Sequence, residues 1–278
     1  MPLPTQNPPR HDLVDAAGTR HVAVTAPPRI VSLVPSITEL ICDLGLGDAL
    51  VGRTGFCIHP RAIVRRIPKV GGTKDIKPER IRELAPTHVI VNIDENEKPA
   101  VDELARFVPA IIVTHPLAPR DNLALYRLLG GIFDRVARAE QLCDAFERAY
   151  NDVVAGCAGL PRQDVLYLIW RKPWMTVSRD TYIARTLALI GWDTQPAAAR
   201  VRYPEIELDA ATLANVDHVL LSSEPYRFRE RDVALVQKRL PPAAHCTVSL
   251  IDGEMTSWYG SRAIQGLRHL GQLRRTPG

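Results

Sequence analysis

The chain has 278 residues, 46% hydrophobic and 24% charged, a globular composition that excludes a disordered or fibrous chain. At ~150 residues per domain the length suits one large domain or two compact ones. Lys and Arg (35) nearly balance Asp and Glu (31), leaving +4 spread along the chain, which is no nucleic-acid footprint.

No run of ~18 apolar residues is present to span a membrane. The opening stretch, residues 1–10, lacks the positive region and apolar run of a secretory signal. Cys42, Cys57, Cys143, Cys157 and Cys246 form no CxxC pair. Cys143 and Cys157 fall about 21 Å apart on one helical pattern, too far to bridge. An odd, scattered set suits a reducing compartment, with each cysteine a small buried hydrophobe.

Residues 1–28 read as a Pro-rich arm with a short strand at 22–24. The β-branched run 29–34 suits a strand buried on both faces. Ser36 then opens a helix with Glu39 three residues on as a capping box, stopped by Gly45 and Gly47. Alternation continues with strand 50–53, helix 78–84, strand 88–92, helix 101–107, strand 110–114 and helix 121–129, a βαβ pattern that implies a parallel sheet. Ala139, Leu142, Cys143, Phe146, Ala149, Tyr150, Val153 and Val154 mark one face of a helix roughly 30 Å long. Then come strands 165–170 and 175–178, helices 182–190 and 209–214, strand 218–221, helix 231–240, strand 246–251 and helix 261–273. Glu79 stands nine residues before His88, and Asp209 nine before His218, a spacing that suggests two related halves. The expected fold is α/β: two Rossmann-like lobes with mainly parallel sheets joined by a single long backbone helix. The expected organisation is an arm at 1–28, lobes at 29–134 and 159–278, and the helix at 135–158.

In open α/β sheets ligands bind beyond the carboxyl ends of the strands. Those loops hold Phe56, Cys57 and His59, then Asn92, Asp94, Glu95 and His115. In the second half they hold Trp170, Arg171, Lys172 and Trp174, then Tyr203, then Ser222, Glu224 and Tyr226, and finally Glu254, Trp258, Tyr259 and Arg262. Three of the four tryptophans fall in this set, and such rings suit the grip of a large ligand in a cleft between lobes. Trp192, at a helix end, reads as core. Catalytic signatures are absent: no GxSxG, GxxxxGK[ST], HExxH or GxGxxG. Gly71-Gly72-Thr73-Lys74 reads as a turn. Cys57, His59 and His115 are of metal-ligating type, but their spacing forms no ligand motif, and the balance is against a metal site.

Arg29-Ile-Val-Ser-Leu-Val-Pro-Ser-Ile-Thr-Glu-Leu40, Val70-Gly-Gly, Pro78-Glu-Arg-Ile81, Leu84-Ala-Pro-Thr-His-Val-Ile-Val91 and Thr256-Ser-Trp-Tyr259 resemble the cobalamin and iron–siderophore substrate-binding proteins of ABC importers. The resemblance covers about residues 12–273. It implies non-catalytic binding of a bulky metal chelate, cobalamin or a ferric siderophore, with no built-in cofactor. The ligand-binding set is expected to be Phe56, His59, Trp170, Arg171, Trp174, Tyr203, Trp258, Tyr259 and Arg262. Glu79 and Asp209 match the carboxylates that dock to an ABC permease in that family. Thr73 and Asn92 stand where cobalamin binders carry further tryptophans, which weakens that particular ligand. The expected protein is a monomer without membrane span or nucleic-acid partner, cytoplasmic as written and periplasmic if its start lies upstream. Two other functions compete: an enzyme or accessory factor of cytoplasmic cofactor metabolism using Glu254 or His59, and a metal-ion receptor using Cys57, His59 and His115.

Overall fold

A computed structural model of the chain describes residues 12–242 and 245–275; residues 1–11 of the expected arm lie outside them. The described residues fall into two compact units, one of residues 12–115 and 122–144, the other of residues 116–121, 145–242 and 245–275.

The first unit contains β1 (Ile30–Ser32), α1 (Pro35–Asp43), β2 (Leu50–Arg53), α2 (Arg61–Val64), α3 (Pro78–Glu83), β3 (His88–Asn92), α4 (Lys98–Leu104), β4 (Ala110–Thr114) and most of α5 (Asp121–Ile132). Its sheet has the order β2-β1-β3-β4, all parallel. Val31, Leu33, Val89 and Val91 pack with Ile81 and Leu104 on one face, all buried, as a strand covered by helices on both sides requires.

The long helix α6 (Val136–Cys157) is continuous over 22 residues, and the boundary between the units falls within it. The second unit adds β5 (Gln163–Leu168), β6 (Trp174–Met175), α7 (Tyr182–Ala188), β7 (Trp192–Thr194), β8 (Glu205–Ile206), α8 (Ala210–Ala214), β9 (His218–Ser222), α9 (Glu230–Gln237), β10 (Thr247–Ile251), α10 (Gly253–Ser257) and α11 (Arg262–Arg275). Its main sheet runs β10-β9-β5-β7, again all parallel, and β6 pairs with β8 in a small antiparallel ribbon. With its own four strands numbered in chain order and read from β7, this sheet has the same 2-1-3-4 order as the first, and the third strand of each begins with a histidine, His88 or His218. Burial lowers the basicity of both imidazoles.

The start of α1 departs from the expected capping box. Val34 is the N-cap, without a side-chain cap, and Pro35 opens the first turn. Proline fits there because the first-turn N–H has no helical partner. Ser36 thereby becomes the second residue of the helix, and its buried Oγ has no hydrogen-bond partner among the described residues. The helix ends as expected on Gly45, at φ +78°, with Leu46 N–H bonded to Ile41 O at 3.0 Å, a closure that favours glycine.

No strand forms at 22–24. A bridge between Val14 and Arg20 forms instead, organised around the buried Asp15. Its Oδ1 accepts the N–H groups of Ala17 and Thr19 at 2.9 Å, and its Oδ2 accepts those of Val113 and His21 Nε2 at 3.0 Å. One carboxylate therefore ties this hairpin to the end of β4. Asp15→Ala leaves those donors without their acceptor in a buried site. It should lower the unfolding free energy by about 3–5 kcal/mol, measured by urea denaturation; a loss of a few tenths would show that the hairpin is held by other contacts.

Candidate functional site

In a 2-1-3-4 sheet, strands one and three are neighbours whose connections depart in opposite directions. A crevice therefore opens beyond their carboxyl ends. In the first unit this point lies between β1 and β3. Asn96, in the loop after β3, accepts Asn92 N–H at 2.9 Å through Oδ1 and donates from Nδ2 to Thr73 O at 2.9 Å. The loop is thus set against the 71–74 turn, which is a turn as expected: Gly71 has φ +116°, and a Cβ there would collide with Asp75 O. Gly72 lies under the Phe56 ring, where a Cβ would come within 3.4 Å of its edge.

Phe56 is 63% exposed on this framework, and Ile58 in the same loop and Ile93 in the loop after β3 are about half exposed. Sequence reading missed both isoleucines; their only signal is an apolar residue directly after a strand or inside a loop. His59 is half-buried. His115 Nε2 lies 3.5 Å from Asp94 Oδ2.

Cys57 turns inward. Its Sγ receives the Thr38 hydroxyl at 3.0 Å and lies 3.1 Å from Thr54 Oγ1, and burial raises its pKa. Among the described residues no group of three or more His, Cys, Asp or Glu is placed to hold a metal ion. Cys57, His59 and His115 are therefore not assembled into the metal receptor considered above: Cys57 is occupied in the core by two threonines.

In the second unit the crevice point lies between β5 and β9, and their loops form a row of rings. Trp170 meets Tyr226 edge-on at 5.6 Å, Tyr226 meets Phe228 edge-on at 4.7 Å, and Phe228 stacks on Trp174 at 6.0 Å. Trp170, at the outer end, is 40% exposed. Trp174, at the inner end, packs on the buried core around Leu208 and Phe228. Arg171 and Arg239 each lie 5.9 Å from its ring centre.

Arg171 is also committed to structure, since its Nη1 bonds the fully buried Asp232 Oδ1 at 2.5 Å. Asp232 Oδ2 accepts Arg229 N–H at the start of α9. Tyr203 is 36% exposed in the stretch leading to β8.

Trp258 and Tyr259 are 8% exposed. Trp258 Nε1 donates to Glu224 Oε1 at 2.6 Å, and Tyr259 meets Tyr182 edge-on at 5.9 Å. Arg262 pairs with Glu254 at 3.1 Å and lies 4.9 Å from the Trp258 ring centre. Trp192 is core as expected, its Nε1 bonded to Gln163 Oε1 at 3.0 Å. Glu224 and Tyr226 were legible as strand-end residues, but nothing local in the sequence assigned them a role; Phe228 and Asp232 were not singled out.

Glu79 is exposed in the first turn of α3, 3.8 Å from Arg82. Asp209 is the N-cap of α8, accepting Thr212 N–H at 2.8 Å, and this bonding lowers its pKa. A cavity of about 430 Å³ in the second unit lies near the starts of β5 and β9, lined by Asp164, Gln195, Thr212 and Val216 among others.

The cysteine environments make a direct prediction. All five cysteines are free; burial pushes the Cys42 thiol up to about 12 and raises those of Cys57 and Cys246. A raised pKa means less of the reactive thiolate at any given pH. Iodoacetamide at pH 8 should leave Cys42 and Cys57 unlabelled in the native protein and label them after unfolding, read by mass spectrometry. Prompt native labelling of Cys57 would contradict the inward placement.

A family model described as periplasmic binding protein matches residues 30–239. The chain is similar to a vitamin B12-binding protein of Photorhabdus laumondii, 21% identical over 252 residues, covering 91% of this chain and 90% of that one. It is also similar to a vitamin B12-binding protein of Yersinia pseudotuberculosis, 26% identical over 212 residues, covering 74% and 73%. In fold it resembles the periplasmic vitamin B12 binding protein of Vibrio cholerae, with TM-score 0.73 and 16% identity over 90% of this chain and 99% of that one. A periplasmic heme-binding protein of Roseiflexus gives TM-score 0.76 and 22% identity over 90% and 98%.

Proposed function

Because the chain belongs to the periplasmic binding protein family, we propose that it binds a bulky metal chelate, a corrinoid, a heme or a ferric siderophore, as the receptor of an ABC importer. It is a binding protein, not an enzyme. The observation that carries this reading is the placement of exposed rings at the carboxyl ends of both sheets: Phe56 in the first unit, and in the second the row that ends at Trp170. A flat or domed macrocycle presents broad apolar faces, and rigid rings bury such faces at low entropic cost. Ile58 and Ile93 extend the apolar surface, and Tyr203 adds a ring with a polar edge. His59 lies in the Phe56 loop. Arg171, Trp174, Trp258, Tyr259 and Arg262 enter the proposal in a different capacity, as the residues that hold the exposed groups in place. The relatives named for vitamin B12 and heme support the chemical class.

Titration of the purified protein with cyanocobalamin, hemin and a ferric hydroxamate, followed by tryptophan fluorescence, tests the reading. Saturable quenching by at least one of them at micromolar concentration is expected. Absence of quenching by all three at tens of micromolar would overturn it. Phe56→Ala and Trp170→Ala should each weaken the bound chelate by about tenfold, the usual cost of removing an aromatic anchor, with unchanged melting temperature.

The receptor role is separable from ligand binding. Glu79 and Asp209 are proposed as the permease-facing carboxylates, both exposed at helix starts that precede the third strand of a sheet. Glu79→Arg combined with Asp209→Arg should abolish uptake of the chelate by cells while leaving its affinity for the purified protein intact. Undiminished uptake would remove the docking role. Cell fractionation in the same experiment decides between the periplasm, the family's compartment, and the cytoplasm.

A further inference from the structure

Glu224 opens the loop after β9, at the crevice point of the second sheet, and is half-buried. Its surroundings are built around it. Gly253 carries no side chain where a Cβ would press on Ser222 Oγ and Glu224 Cγ. Ser222 Oγ accepts the Tyr167 hydroxyl at 2.9 Å and the Glu224 N–H at 3.3 Å. Ser257 Oγ and Trp258 Nε1 both donate to the same carboxylate oxygen, Oε1, at 2.7 and 2.6 Å. Both donors are neutral. Arg262 is paired with Glu254 and Arg171 with Asp232, while Lys172, Arg227 and Arg229 of the same loops are exposed to water. Among the described residues no cation pairs with Glu224, while Glu254 and Asp252 add negative potential beside it.

A carboxylate held in fixed orientation, half removed from water and without a counter-charge, favours an incoming hydrogen-bond donor and disfavours an incoming anion. Two further facts place it where a ligand arrives. Trp170 and Tyr226, the outer rings of the aromatic row, come from the same pair of loops, and Tyr226 N–H is bonded to Ile169 O at 3.3 Å. Burial together with the two acidic neighbours raises the Glu224 pKa, the mark of a group whose charge is not offset within the free protein.

We propose that Glu224 is the specificity-determining residue of the second unit: it accepts a hydrogen bond from an N–H group on the rim of the chelate and turns away chelates whose rim carries carboxylates. This rests on the chelate-binding reading above. It selects within that class, favouring a macrocycle edged with primary amides over one edged with propionates. Nothing is transferred; the residue acts through one hydrogen bond and one repulsion.

The test compares cyanocobalamin, whose rim bears primary amides, with hemin, whose rim bears two carboxylates, on the wild type and on Glu224→Gln. Gln keeps the shape and can still accept from Ser257 and Trp258, so the loop should hold. The wild type should bind cyanocobalamin more tightly than hemin. Loss of a hydrogen bond to a charged acceptor should weaken cyanocobalamin roughly 10- to 100-fold in the variant. Hemin binding should strengthen, so that the preference collapses. Trp258→Phe retains the charge but removes one donor that orients it. It should weaken cyanocobalamin without improving hemin, a pattern that general loosening of the loop would not give. If the wild type prefers hemin, or if Glu224→Gln leaves the ratio unchanged, the assignment to Glu224 fails while chelate binding stands. If neither probe nor the ferric hydroxamate binds the wild type, the functional reading itself fails.

Discussion

Both sheets are built around central parallel strands buried on both faces, and that burial decides where chemistry can be placed. Ile30 to Ser32 and Val219 to Ser222 have almost no exposed surface. A polar or reactive side chain inside such a strand must find a partner or carry a desolvation cost of roughly 1–3 kcal/mol. The central strands therefore end in serines whose hydroxyls are bonded within the protein, Ser32 to Thr38 of α1 and Ser222 to Tyr167 of β5. Everything capable of recognising a ligand is displaced to the loops that follow. Because each sheet has the 2-1-3-4 order, the loops after its first and third strands stand side by side. That is why Trp170 and Tyr226, 56 positions apart in the sequence, meet edge to edge.

The alternation of strands and helices was legible because it depends on local pattern. The run from Ile30, the stripe of α6 and the His-led strands all carry their period in consecutive residues, and they form where expected to within a few positions. Local rules failed where a stronger local rule competed. Pro35 takes the first helical turn and moves the cap from Ser36 to Val34. The region of Val22 is organised by Asp15 reaching across to Val113, a partner 98 positions away that no window of the sequence could reveal.

The candidate site divides along the same line. That rings would gather in the carboxyl-end loops followed from their position after strands. Which of those rings would remain open did not, because it depends on distant pairings. Trp258 is drawn in by Glu224, 34 positions before it, and Tyr259 by Tyr182. Arg171 is taken by Asp232, 61 positions on. Type and position mark a residue as able to bind a ligand. Only the tertiary contacts show whether its binding capacity is already spent on the protein.

That distinction also orders the electrostatics of the second unit. The arginines at its carboxyl-end loops that would first be matched to an acidic ligand are engaged by carboxylates of the chain itself: Arg171 by the buried Asp232, and Arg262 by Glu254. Each pairing satisfies a charge that would be costly to leave alone at low dielectric, and each removes a cation from service as an anion receptor. Glu224 differs in kind, because its fixed partners are a hydroxyl and an indole, which orient its charge without cancelling it. A surface of exposed rings with paired arginines and one oriented, uncompensated carboxylate is complementary to an apolar disc with a donor-rich edge.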